Sequence, residues 1–278
     1  MKIFLNSENK IRGSWWVAIF FIILASFLFC LIMLADRFSF EITMMHQLIL
    51  ISVVSFICQM LRRKPMSDLI GNLDFLWLKQ LFIGLIIGAA LMILPVLLLT
   101  ILGFIHWQVN LFSFSTITSG FTIFIVAAIA EELLFRGFMF QRLIQSFGKW
   151  PAQLLIAGLF LLTHINNPGM TGIVKTLASI NIFIASIMFG MAYLKTNSLA
   201  MPLGLHFMAN FMQGTVLGFG VSGDKEPSLL KPIFHNAPLW LSGGDFGIEA
   251  SALGLCFVMV ITLLIYFWNP SKAKTVLG

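Results

Sequence analysis

Eight runs of apolar residues, at roughly 14–35, 44–61, 80–104, 117–140, 150–164, 177–194, 199–219 and 249–268, leave only short polar stretches between them. At about 1.5 Å per residue most of these runs are long enough, as helices, to cross a hydrocarbon core of about 30 Å. The fifth is the shortest. In lipid every backbone N–H and C=O must find its partner within its own segment or barrel, which makes each run a helix. The expected fold is therefore all-α, a polytopic membrane helix bundle of about eight transmembrane helices, with residues 1–278 forming a single membrane-embedded domain. Composition agrees: 59% of the residues are hydrophobic and only 10% charged, where soluble domains run near about 25% charged. The first run is too long for a signal-peptide core and lacks a small-x-small site after it, so it is read as a membrane helix.

The formal net charge is +6. The basic residues fall in short clusters between apolar runs, with no aromatic-interleaved basic stretch, so the pattern speaks for topology and anionic lipid headgroups and against nucleic acid as a partner. With the N-terminus placed in the cytoplasm and the runs alternating, twelve basic residues fall inside: Lys2, Lys10, Arg12, Arg62, Arg63, Lys64, Lys79, Arg142, Lys149, Lys195, Lys272 and Lys274. Four fall outside: Arg37, Lys175, Lys225 and Lys231. Both termini are expected to be cytoplasmic, in what the short polar tails suggest is a bacterial plasma membrane. The longest polar segment, 220–248, would then be external, as a connector or a lid. Cys30, Cys58 and Cys256 are scattered through apolar runs without metal-binding spacing and read as small buried hydrophobes.

Acidic residues single out one place. Between Asp74 and Asp224 there are only two acids, the adjacent Glu131 and Glu132, and they follow ten apolar or small residues. Arg136 comes four positions later. A charge at the centre of a membrane helix costs at least about 2.5–3.5 kcal/mol on insertion scales, so three in six residues need an explanation. Glu132 and Arg136 share a helix face with the acid N-terminal, the favoured order for a pair. Glu131 is rotated about 100° away and needs a different partner, which makes it the free carboxylate facing the bundle interior. Two histidines sit at similar depth on other runs. His164 ends Phe160-Leu-Leu-Thr-His164, and His206 precedes Asn210 by one helical turn. His46, His106 and His235 lie near run ends or in the long loop and are given no role.

One carboxylate, two imidazoles, a carboxamide and a cation in a low-dielectric bundle suit hydrolysis by an activated water. A buried Glu131 can serve as general base, His164 can share or orient the water, and His206 with the Asn210 amide can donate to a developing oxyanion. A zinc reading uses Glu131, His164 and His206 with one open position. The residues alone leave both versions open. Other readings keep the same charges as ion or proton relays of a transporter, or as the scaffold of a protein without turnover. A transporter predicts Gly/Pro-broken helices at matching places in two halves, and no such repeat is present.

The three motifs together resemble those of one family. Glu131-Glu132-Leu-Leu-Phe-Arg136 resembles EExxxR, Phe160-Leu-Leu-Thr-His164 resembles FxxxH, and His206-Phe-Met-Ala-Asn210 resembles HxxxN of the CAAX-protease and bacteriocin-processing (CPBP, Abi) intramembrane endopeptidases. The likeness covers about residues 117–215, the motif-bearing core. It implies a bundle of roughly eight helices that cleaves peptide bonds within or beside the membrane, as the type II CAAX prenyl endopeptidases do. By that resemblance Glu131 activates water with His164, His206 and Asn210 bind the oxyanion, and Glu132 and Arg136 support the site. The family is often labelled metalloprotease, although metal-free glutamate catalysis is argued for it. The implied substrate is membrane-associated, a prenylated protein or a peptide.

Overall fold

The computed structural model describes residues 3–5 and 10–269; Lys2, Lys272 and Lys274 of the topology count lie outside the described residues. Every apolar run is helical. The rods are α1 (Gly13–Phe38), α2 (Met44–Leu61), the short α3 (Ser67–Ile70), α4 (Phe75–Ile101), α5 (Phe114–Glu132), α6 (Phe140–Phe147), α7 (Lys149–His164), α8 (Gly172–Thr196), α9 (Ala200–Phe211), the short α10 (Leu239–Ser242) and α11 (Ala252–Phe267). Local chemistry sets several ends. Asp74 Oδ1 accepts the Trp77 N–H at the start of α4, and Ser251 Oγ accepts the Gly254 N–H at the start of α11. Gly148, at φ +86°, breaks α6 from α7.

Among the described residues, four helices are both long and apolar enough to cross a membrane by themselves: α1, α2, α4 and α8. The remaining runs fall short for identifiable reasons. Helices α7 and α11 have 16 residues each, about 24 Å at 1.5 Å per residue. Helix α5 has 19 residues and ends at its two glutamates. The run 117–140 is not a uniform α-helix either: Leu133–Met139 is π-helical and joins α5 to α6. A second π-helical segment, Met212–Val216, extends α9.

Helix α8 is the most enclosed of the four spans and α1 the least, so α8 is the axis of the bundle and α1 faces its surroundings. Phe20 of α1 stacks on Phe138 with ring centroids 5.1 Å apart. The closest helix pair is α4 with α9. Gly84 and Gly88 of α4 face the backbone carbonyls of Met201 and Leu205, and Gly204 of α9 faces that of Leu81. Any side chain at these three positions would collide with backbone, the small-residue packing that lets membrane helices approach.

Hydrogen bonds between loops sort them into two ends. At one, Ser14 N–H reaches Ser146 Oγ, Gln141 Nε2 reaches the Leu69 carbonyl, and Leu199 N–H reaches the Ile70 carbonyl. At the other, β1 (Ile105–Val109) pairs antiparallel with β2 (Leu230–Phe234), Ile105 opposite Phe234. Asn167 Nδ2 donates to the Ser222 carbonyl at the same end. The segment 220–248 is thus structured, with β2, α10 and a 3-10 turn, Gly244–Phe246, pinned to the 165–171 loop.

Candidate active site

Helix α5 delivers two adjacent carboxylates to the centre of the bundle, and their surroundings differ. Glu132 is fully buried. Its Oε1 accepts Nη1 of Arg136 at 3.1 Å and Nδ1 of His206 at 2.9 Å. A carboxylate paired with a guanidinium accepts, so the proton on this edge of His206 belongs to Nδ1. Arg136 is also fully buried. Its Nη2 donates to Ser186 Oγ at 2.8 Å and to the Ser186 carbonyl at 3.2 Å. The rings of Phe160 and Phe189 lie 4.7 and 5.1 Å from its guanidinium carbon. Phe189 also stacks on the His206 ring, with centroids 4.8 Å apart and planes 15° from parallel.

Glu131 points elsewhere. Its side chain keeps 21% of its surface exposed, and its Oε2 lies 3.8 Å from His206 Nε2. That is beyond hydrogen-bond distance and within electrostatic reach. His206 therefore stands between the two acids, with one ring nitrogen toward each. His164 ends α7. Its Nδ1 lies 2.8 Å from the Phe160 carbonyl, and a carbonyl can only accept, so Nδ1 carries the proton and the neutral ring keeps its lone pair on Nε2.

These groups meet at a cavity of about 510 Å³, lined by Glu131, His164, His206 and Asn210. Glu132 and Arg136 are not among its lining residues; they sit behind its wall. Leu91, Met92, Phe124, Ile182 and Met188 make much of the remaining surface, and Ser222, Asp224 and Glu226 bring it to the end of the bundle that carries the β-ribbon. Helical spacing had already joined Glu132 to Arg136. It did not show that His206 reaches Glu132 as well.

Among the further polar residues that line the cavity, Glu249 and Asn181 were given no role by the sequence. Glu249 lies in a 3-10 turn, Ile248–Ala250, just before α11, and its Oε1 accepts the Ser222 N–H and Gln213 Nε2. It ties the 218–223 segment to the start of the last helix. Its run-end position hid it. Asn181 of α8 is 2% exposed, and a lone amide within an apolar run was the signal that could have marked it.

Among the described residues no three His, Cys, Asp or Glu side chains are placed to hold a metal ion. Glu131, His164 and His206 share a cavity without forming a ligand cage, so no chemical step is assigned to a metal.

Residues 113–212 match the family model of the type II CAAX prenyl endopeptidases, Rce1-like. The match spans all three motifs, and the resemblance read from them holds over that segment. No curated protein matches the chain.

Proposed function

We propose that this membrane protein is an intramembrane endopeptidase that hydrolyses a peptide bond with a water activated by Glu131. The observation that supports this most is the single cavity shared by Glu131, His164, His206 and Asn210, with the Glu132–Arg136 pair closed off behind it. Charge balance favours the assignment. With Glu132 ionised and Arg136 charged, Glu131 and His206 reach neutrality by holding one ionisable proton between them. An ionised Glu131 beside a doubly protonated His206 satisfies that condition, and it provides a base and a donor in one step.

In this mechanism Glu131 takes a proton from water while His164 Nε2 orients it. The hydroxide attacks the scissile carbonyl carbon, and the oxyanion accepts hydrogen bonds from Asn210 Nδ2–H and His206 Nε2–H. The C–N bond then breaks as the nitrogen receives the proton held by Glu131. Glu132 and Arg136 hold the His206 ring in place and keep its Nδ1 proton occupied.

The apolar cavity wall suits a membrane-associated peptide, prenylated or not. The excess of basic residues at the end opposite the mouth favours a cytoplasmic position for that end, with substrate entering from the far side. Single cysteines at positions 64 and 225 should label from opposite sides of the membrane; labelling from one side would reject this orientation.

The decisive assay uses a fluorogenic membrane peptide and the purified protein. Glu131→Gln keeps the side-chain shape but cannot take a proton, so turnover should fall by about 10²–10⁴, the contribution of a positioned base, while substrate binding stays near wild type. Wild-type turnover in Glu131→Gln would overturn the mechanism. Inhibition by chelator that zinc alone reverses would overturn it in favour of a metal.

A further inference from the structure

A second cluster of charge lies at the other end of the bundle, among residues the hydrolytic site does not use. Arg142 of α6 is 3% exposed. Only its Nη2 has a partner, the neutral Oε1 of Gln141 at 3.2 Å; Nε and Nη1 have none. Arg62, at the C-terminal end of α2, approaches the same place. Its Nη1 donates to another neutral amide, Gln59 Oε1. The two guanidinium carbons share one aromatic neighbour, lying 5.6 and 5.8 Å from the Phe138 ring centroid, and Arg62 also lies 5.9 Å from the Trp16 ring.

No carboxylate among the described residues comes within ion-pair distance of either arginine; Asp68 acts on both only at longer range. Burial, and then the like charge of Arg62, push the Arg142 guanidinium down to about 10. Two cations that repel each other, one with two unmade hydrogen bonds, are an unstable arrangement unless something answers them. The position says what can. Arg62 follows the last residue of a membrane span, the depth of lipid headgroups. Trp16 lies beside it, and Arg63 and Lys64 follow it on the basic end. Guanidinium groups bind tetrahedral oxyanions through paired N–H donors.

We propose that Arg62 and Arg142 form a binding site for a phosphate group, which an anionic phospholipid headgroup or free phosphate can supply. Arg142 Nε–H and Nη1–H are buried, so the phosphate oxygens would accept them once the partly exposed Arg62 side chain swings aside, and Arg62 would then close over the bound group. Bound there, the ligand bridges α2 and α6 at the end of the molecule remote from the cavity mouth.

The test uses delipidated full-length protein in a neutral detergent, with thermal unfolding followed by tryptophan fluorescence. Phosphatidylglycerol, phosphatidylcholine and inorganic phosphate are titrated separately. Phosphatidylglycerol should raise Tm saturably where phosphatidylcholine does not, and Arg62→Gln and Arg142→Lys should each weaken the apparent affinity on the order of tenfold, the loss of about one charge-assisted contact. Lys64→Gln, at the same end but outside the cluster, should leave it unchanged. An equal saturable shift with inorganic phosphate, lost in Arg62→Gln, supports the site and names the soluble anion as its ligand. Arg62, being partly exposed, keeps the test valid if an Arg142 variant folds poorly. No shift from either phosphate source would overturn the proposal. So would a phosphatidylglycerol shift undiminished in both arginine variants, or one diminished equally by Lys64→Gln.

Discussion

Arg136 and Arg142 lie six residues apart on one continuous rod, both buried, and their surroundings are opposite. Arg136 has a carboxylate, a hydroxyl, a carbonyl and two close aromatic faces around it. Arg142 has one neutral amide, the Phe138 ring and a second arginine, with Asp68 only at longer range. The first has its counter-charge within the protein, and of its three guanidinium nitrogens only Nε is without a partner. The second has no carboxylate at ion-pair distance among the described residues, the gap that the proposed phosphate would fill. A buried cation is thus no uniform sign of a catalytic site: its partners separate an internal support from a binding group.

The largest expected effect that tests this contrast is on stability. Arg136→Gln leaves Glu132 buried without its cation and should cost about 3–5 kcal/mol, the usual result of breaking a buried pair from one side. Arg142→Gln removes a charge that has no counter-charge, and in lipid-free detergent it should cost far less or stabilise. Denaturant unfolding of both variants measures the difference, and equal losses would remove the distinction between the two sites. Next in size is Asn210→Ala. It should lower kcat by about 10²–10³, the cost of one oxyanion donor, with Tm unchanged because the Asn210 amide supports nothing behind the wall. A matching fall in Tm would make Asn210 a structural residue. The smallest effect belongs to the exposed pair, Lys225 Nζ to Asp245 Oδ1 at 2.6 Å. The Lys225 hydrogen bond, then its charge, hold the Asp245 carboxyl below its usual range. What the pair contributes is therefore present above the ordinary carboxylate range and lost as pH falls from that range through the lowered Asp245 value beneath it. Asp245→Asn should shift Tm barely or not at all at neutral pH, since such pairs are screened, and any shift should vanish in acid.

What could be read from the sequence was whatever depends on spacing within one helix. The Glu132–Arg136 pair follows from four residues of separation, and the divergence of Glu131 follows from one. The contact of His206 with Glu132 spans 74 positions, and no periodicity announces it. Glu249 was hidden for a similar reason. It becomes part of the cavity only because Ser222 and Gln213 fold back onto it. The β-ribbon was missed because Ile105–Val109 continues an apolar run and Leu230–Phe234 contains Pro232, which argues against a strand unless it lies at an edge. The π-helical segment after Glu132 left no mark, since Leu133–Met139 is as apolar as an α-helical stretch would be. His46, given no role, accepts the Thr43 N–H at the start of α2.

Helix α4 carries none of the three motifs, yet it fixes where two of the motif residues stand. Its glycines at 84 and 88 meet the carbonyls of Met201 and Leu205 on the helix that bears His206 and Asn210, while Gly204 meets α4 in return. The separation of the two rods is thus a gauge set by missing atoms. A single methyl at one of these points acts as a shim, moving the His206–Asn210 rod relative to Glu131 without touching any side chain of the three motifs. Ranked by chemistry, α4 is a spacer; ranked by tolerance to added bulk, it belongs with the residues that line the cavity.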